Sequence, residues 1–265
     1  MNDLIIISVA AMGGLGLFFA IVLAIASEKL KVKEDPRVLQ INEALPGLNC
    51  GACGQAGCRD LAEKIAAQGN LDGLSCPPGG AEVIEAIAEI LGITAEAGVK
   101  KRAVVKCGGT KELAGDRGQY HGIKSCAAEE LVGGGHKTCS YGCLGHGDCV
   151  KVCPFDAMVM GQNGLPKIDE AKCTACGLCV EACPRQIIEL VPCNNRIIVS
   201  CNSRDKGVVV RKACKVGCIA CNLCVKNAAE GYIIEDNLAK VKYDKGDQAA
   251  EPGVAKCSTK CIVKL

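Results

Sequence analysis

From Leu4 to Ser27 the chain runs twenty-four residues without a charge. About 20 apolar residues are enough to cross the hydrocarbon core of a bilayer, so residues 1–27 are expected to form a transmembrane anchor. Asp3 precedes the run, and Glu28, Lys29, Lys31 and Lys33 follow it. Lysines on the C-terminal flank alone predict that this side faces the cytoplasm. Ala24-Ile25-Ala26 has the form of a signal-peptide cleavage site. The run is too long for a signal peptide, however, and it has no basic leader. The expectation is an uncleaved, single-pass anchor in the cell membrane. Gly13, Gly14 and Gly16 thin one face enough for a partner helix to approach, although glycine is common in membrane helices generally.

The pattern changes after a charged linker over 28–36. Val38, Ile41 and Leu45 have helical spacing before Pro46-Gly47. Leu61 and Ile65 predict a helix that starts near Cys58. Val83, Ile84, Ile87, Ala88 and Leu91 predict another that ends near Gly92. Residues 37–98 therefore read as a small helical domain. Beyond a connecting segment over 99–138 the signals are short and strand-like. Val104-Val105 precede Cys107. Met158 and Met160 alternate around Val159 before an Asn163-Gly164 turn, and Ile187, Ile188 and Leu190 mirror them. Ile197-Ile198-Val199 and Val208-Val209-Val210 flank a polar stretch, which predicts a hairpin. The overall expectation is α+β, with an anchor and a helical domain followed by a complete strand-rich unit over 139–190 and a degenerate repeat of it over 191–265.

Cysteine decides the chemistry. There are 22 in 265 residues, about the density that marks a disulfide scaffold in short secreted chains. Here they recur in tight, repeated runs, which is cofactor geometry and requires a reducing compartment. Aromatic residues are only 3%, with no Trp, so bound cofactors are expected to staple folds that lack apolar bulk. The formal charge is +2 with every thiol counted neutral. Four [4Fe–4S] clusters on thiolates would take it to roughly −6. With no basic stripe and few aromatics, nucleic-acid binding is poorly supported.

Cys173, Cys176, Cys179 and Cys183-Pro184 form the Cys-x2-Cys-x2-Cys-x3-Cys-Pro run of bacterial ferredoxins, in which the fourth Cys serves the neighbouring cluster. Cys153 then completes the cube on Cys173, Cys176 and Cys179. The run ending at Cys153-Pro154 departs from this pattern. Its first and third ligands are Cys143 and Cys149, but the middle position is His146, and Cys139 lies four residues before Cys143. Cys139 is read as the substitute, giving Cys139, Cys143, Cys149 and Cys183. The rival ligand is His146, which otherwise is a loop histidine that touches solvent or a sulfur. Paired Cys-x2-Cys motifs also mark zinc ribbons, but the doubled ferredoxin run argues against zinc here.

Upstream, Cys50, Cys53 and Cys58 sit in a Gly-rich loop and Cys76 precedes Pro77-Pro78-Gly79-Gly80. These four can close one site, for which zinc and an iron–sulfur cluster are both chemically open. In the tail, Cys218, Cys221 and Cys224 repeat the ferredoxin loop, while the position for a fourth Cys is Ala228. The simplest reconstruction is one cube on Cys218, Cys221, Cys224 and Cys261, with Cys214 and Cys257 as remnants or alternates. Cys107 and Cys126 are either ligands of a further site or buried free thiols. His121 and His136 read as loop residues, and Cys193 and Cys201 have no assigned partner.

The anchor, the linker, the sequence CGACGQAGCRDLAEKIA and the CPPGG that follows resemble the B subunit of the Rnf complex, a membrane-bound ferredoxin:NAD+ oxidoreductase coupled to translocation of Na+ or H+. The resemblance covers residues 1–190. It implies one [4Fe–4S] cluster on Cys50, Cys53, Cys58 and Cys76. It implies two more on Cys139, Cys143, Cys149, Cys153, Cys173, Cys176, Cys179 and Cys183, in a ferredoxin-like domain. Longer members of the family carry extra ferredoxin modules where this chain has its tail.

No nucleophile–base pair, dinucleotide loop or paired carboxylates stand out, so no catalytic residues are assigned and NAD chemistry belongs to other subunits. The expected function is electron relay from reduced soluble ferredoxin to integral and peripheral membrane partner subunits, within a redox-driven translocase. One alternative keeps the relay but reduces a redox-sensing regulator. A second is a structural or zinc-storage protein.

Overall fold

The computed structural model describes residues 2–30, 35–94 and 99–265; Lys31 and Lys33 of the basic flank lie outside them. Elements are numbered in chain order. Helix α1 (Asn2–Lys29) contains the uncharged run. Large side chains on all its sides, from Ile6 to Ile25, are exposed. The helix is thus apolar all round without a protein core to face, as a helix that meets lipid would be.

Three helices build the first soluble domain. In α2 (Pro36–Ala44) Pro36 opens the first turn, and the Asp35 carboxylate caps it by accepting from the Arg37 N–H at 2.9 Å. Helix α3 (Cys58–Gln68) and helix α4 (Gly80–Leu91) each stop at a glycine in the left-handed region, Gly69 and Gly92. Ile41, Leu45, Leu61, Ala62, Ile65 and Ile87 form their shared core. The predicted periodicities place these residues inward.

Residues 99–265 hold two repeats of one plan, each with a first and last strand paired antiparallel around a central hairpin. In the first, β1 (Lys101–Val105) pairs with β4 (Ile188–Pro192), Ala103 opposite Leu190, while β2 (Met158–Met160) pairs with β3 (Pro166–Ile168). In the second, β5 (Ile197–Val199) pairs with β8 (Ile262–Lys264), while β6 (Tyr232–Glu235) pairs with β7 (Leu238–Val241). The helices in this part are α5 (Cys126–Leu131), α6 (Asp148–Lys151), α7 (Leu178–Glu181), α8 (Gly207–Ala213), α9 (Leu223–Asn227) and α10 (Gly246–Lys256). Val104, Val191 and Ile198 pack together with Val263 and Tyr243, so the outer strand pairs of the two repeats meet in one apolar seam.

The stretch 99–138 supplies β1, where Val104-Val105 read as a strand, and also α5. One expectation needs correction. The predicted hairpin between residues 197 and 210 does not form. Val208–Val210 lie in α8, where Val210 and Ala213, three residues apart, turn inward while Val208 and Val209 are exposed. That spacing satisfies a helix face, and β5 finds its partner at the C-terminus instead.

Buried Arg102 ties β1 to the turn between the repeats. Its Nη1 donates to Glu170 Oε1 and to the Cys193 carbonyl, both at 2.9 Å, and its Nη2 donates to the Asn195 carbonyl at 2.7 Å. Glu170 also accepts from Arg196 Nη1 at 2.7 Å.

Candidate metal centres

In the first soluble domain the loop before α3 is locked by Asn49, whose Oδ1 accepts the Cys58 N–H at 2.8 Å. Gly57 leaves the room for this, since a Cβ there would stand 2.8 Å from that same oxygen. Cys53, Cys58 and Cys76 pack against the helical core. Burial pushes the Cys76 thiol up, and the neighbouring thiols of Cys58, Cys53 and Cys50 push it further, while the Gly79 N–H opposes them. The four predicted cysteines are therefore close enough to feel one another's charge.

Three loops in the second part share one backbone signature. In 145–147, 175–177 and 220–222 the first and third residues are left-handed: Gly145 and Gly147, Ala175 and Gly177, Ala220 and Asn222. The third residue of each caps a short helix, α6, α7 or α9, which carries Cys149, Cys179 or Cys224. This turn brings consecutive ligand positions onto the inside of one loop. The tail loop keeps it although Asn222 replaces glycine, a residue that tolerates the left-handed region better than most.

Around the middle loop, Cys153, Cys173, Cys176 and Cys179 line one cavity with Ala103, Phe155 and Met158. The Ala103 N–H of β1 donates to Cys173 Sγ at 3.4 Å. Burial and the Cys176, Cys173, Cys149 and Cys153 thiols push Cys179 up to about 12.

The cavity around the first loop is lined by Cys126, Cys143, Cys149 and Cys183. Cys126, and not Cys139, is on its wall beside the loop cysteines. The reason is local. Ser125 caps α5, and its hydroxyl donates to Asp148 Oδ2 at 2.7 Å, while the Ala127 N–H reaches the same oxygen at 3.1 Å. Asp148 adjoins Cys149, so these bonds draw Cys126 over the loop. Burial, followed by Cys107, raises Cys143 to about 12, and burial with Cys126 and Cys183 raises Cys149 to about 11. His146 holds the loop position of Cys176 and Cys221, but its ring is bonded to Glu129. The cue that was readable in the sequence is Ser125-Cys126 opening a short helix.

In the tail, Cys218, Cys224 and Cys261 are buried in one core with Tyr232 and Leu238, and Cys257 packs against it. Cys257 and Cys261 Sγ atoms lie 3.5 Å apart, and the Ala239 N–H donates to Cys218 Sγ at 3.5 Å. Cys261 hydrogen-bonds both Cys218 and Cys257, drawing those two thiols down while its own is raised. Cys221 is exposed and near Ser258. Cys139 lies beside Cys107 and Cys214. Cys193 belongs to the turn between β4 and β5, and His121 lies in a loop.

The donor sets fit iron–sulfur clusters. They are all thiol, two of them line cavities, and backbone N–H groups aim at their sulfurs, as cluster sulfurs require. Among the described residues no three His, Cys, Asp or Glu side chains converge on the point a single metal ion would occupy. Cluster ligands stand further apart, because iron and sulfide fill the space between them.

Taken together, these features define an iron–sulfur protein with an apolar N-terminal helix. Residues 45–78 match the family described as putative Fe-S cluster, and residues 166–189 match the 4Fe-4S binding domain. The chain is 48% identical to the B subunit of the Na(+)-translocating ferredoxin:NAD(+) oxidoreductase complex of Acetobacterium woodii, over 99% of this chain and 78% of that protein. It is 43% identical to the B subunit of the proton-translocating ferredoxin:NAD(+) oxidoreductase complex of Clostridium ljungdahlii, over 99% and 93%. It is 38% identical to the B subunit of the ion-translocating oxidoreductase complex of Methanosarcina acetivorans, over 99% of both chains. The chain belongs to the family of B subunits of ion-translocating oxidoreductase, or Rnf, complexes.

Proposed function

We propose that this chain is the electron relay of such a complex. Reduced ferredoxin gives electrons to the two ferredoxin-like modules of residues 99–265. They pass to the four-Cys domain beside the membrane and on to the membrane partner subunits. The soluble part lies on the cytoplasmic side of a single anchor. The clusters are [4Fe–4S]. They sit on Cys50, Cys53, Cys58 and Cys76; on Cys153, Cys173, Cys176 and Cys179; on Cys126, Cys143, Cys149 and Cys183; and on Cys218, Cys221 and Cys224 with Cys261, beside which Cys257 is the alternate.

The observation that carries this reading is the succession of all-thiol sets along one chain, each with N–H groups beside its sulfurs. A bound cluster supplies a one-electron couple there. The chain's own residues set its position, exclude water and tune its potential. Between Leu4 and Ser27 the anchor carries no ionisable side chain, so it offers no ion path. Ion translocation and NAD+ reduction therefore belong to partner subunits.

The test is iron and acid-labile sulfide on the full chain, purified in detergent without oxygen, followed by rapid mixing with reduced ferredoxin. About sixteen iron atoms or more and a prompt loss of visible absorbance are expected. Zinc in place of iron, or clusters that reduced ferredoxin cannot reduce, would overturn the reading.

A further inference from the structure

Four thiols outside those sets come together where the two repeats meet. Cys107 and Cys201 each lie two residues beyond the first strand of a repeat, β1 and β5. Cys139 and Cys214 each lie four residues before the first loop cysteine of a repeat, Cys143 and Cys218. Each repeat thus contributes the same two positions.

Backbone hydrogen bonds draw the four stretches together. The Gly108 N–H donates to the Ser200 carbonyl at 2.9 Å, which joins the segments after β1 and β5. Ala114 and Cys214 form an isolated antiparallel bridge, and the Gly115 N–H donates to the Ala213 carbonyl at 2.9 Å. The Thr138 N–H donates to the Gly115 carbonyl at 2.9 Å, which brings in the segment of Cys139. Gly109 permits the close approach, because a Cβ there would lie 3.5 Å from Cys214 Sγ, 3.6 Å from Cys107 Sγ and 3.0 Å from Ala114 Cβ. The thiol of Cys139 is near enough to Cys107, Cys214 and Cys201 for their charges to interact.

A thiol buried only as a small hydrophobe needs no donors to its sulfur. Three of the four have N–H groups directed at theirs. Cys107 Sγ accepts from the Cys143 N–H at 3.5 Å; the Gly109 N–H also lies by Cys107, the Cys218 and Ser203 N–H groups lie by Cys201, and the Tyr141 N–H lies by Cys139.

We infer that Cys107, Cys139, Cys201 and Cys214 hold a further [4Fe–4S] cluster shared by the two repeats. This inference rests on the reading of the chain as an iron–sulfur relay and extends it. The site adjoins Cys143 through the N–H bond to Cys107, and it adjoins Cys218 through Cys201. It therefore stands between the first-loop cluster and the tail cluster, as the step that joins them.

The test uses the full-length holoprotein in detergent, handled without oxygen. Alkylation with iodoacetamide before and after iron chelation, mapped by mass spectrometry, should find all four thiols protected in the holoprotein and modified together once iron is removed. Cys201→Ser and Cys214→Ser should each lower iron by about four atoms and delete the same component of the reduced electron paramagnetic resonance spectrum. The double variant should lose no more than either single one. Cys193→Ser should lose nothing. Free reactivity of the four thiols in an iron-loaded holoprotein would overturn this inference and leave the relay standing. So would variants that keep all the iron, or thiols that become reactive only after disulfide reduction. A holoprotein without iron would overturn the relay itself.

Discussion

Nε2 of His146 donates to Oε2 of Glu129, a carboxylate with no solvent exposure. The other oxygen, Oε1, accepts from the His136 N–H at 2.6 Å and from its Nδ1 at 2.5 Å. Glu129 and Cys126 share α5. The same helix thus occupies the imidazole that stands in a ligand position and offers a thiol to the cavity.

Glu129→Gln should lower stability by about 1–3 kcal/mol, because an amide cannot accept all three of these bonds. Burial alone would raise the Glu129 carboxyl, but the hydrogen bonds from His136 and His146 outweigh it and hold the group below its ordinary value. A depressed folded value contributes stability above the unfolded value of about 4.3, and that stability is lost as pH falls through the folded value. Denaturant unfolding should therefore show a deficit at neutral pH that narrows as pH falls towards the folded value, followed over the range in which the visible cluster absorbance persists. A deficit that stays constant across that range would mean that the carboxylate charge is not what stabilises the site.

Cys126→Ser and Cys143→Ser should delete the same paramagnetic signal and about four iron atoms. His146→Gln should keep the full iron content. If His146→Gln loses that signal while Cys126→Ser keeps it, the imidazole is the ligand and the thiol is not.

Arg102→Met should cost about 2–4 kcal/mol, since it leaves the carbonyls of Cys193 and Asn195 without their donor. Arg102→Lys should recover little of this, because one ammonium cannot match the planar fork that reaches three acceptors. Chemical unfolding of both variants checks this, and wild-type stability in the lysine variant would contradict it.

Ala175 and Ala220 hold φ of 57° and 52°, which strains a side chain with a Cβ by about 1–2 kcal/mol. Ala175→Gly and Ala220→Gly should therefore raise stability by about 0.5–1 kcal/mol, after the added freedom of the unfolded chain is deducted. A lower unfolding midpoint in both variants would show that the methyl groups pack well enough to offset the strain.

Local features of this chain were readable from its sequence. Helices α2 to α4 follow from the spacing of Ile41, Leu61, Ile65 and Ile87, and the β2–β3 hairpin follows from Met158, Met160 and Asn163-Gly164. What depends on distant partners was not readable. β1 pairs with a strand more than eighty residues later, and no periodicity encodes that choice. The same limit applies to the sites. Motif spacing finds thiols within one loop, such as Cys173 and Cys176, but Cys126 enters through the bond between Ser125 and Asp148. The shared offset of Cys139 and Cys214 was visible, yet without the fold Cys139 read as a substitute ligand and Cys214 as a remnant or alternate, not as a symmetric pair.

The pairing of β1 with β4 also sets an order of manufacture. The anchor and the domain over 36–92 can be completed from nearby segments as they leave the ribosome. The segment of β1 and Cys107 must wait for Ile188–Pro192, a delay of roughly 4–17 seconds at ~5–20 residues per second. During that interval its thiols are open to oxidants and to the wrong metals. On the proposed reading, iron for residues 99–265 enters only after β4 has emerged, and production under oxygen should harm residues 99–265 before it harms the domain at 36–92.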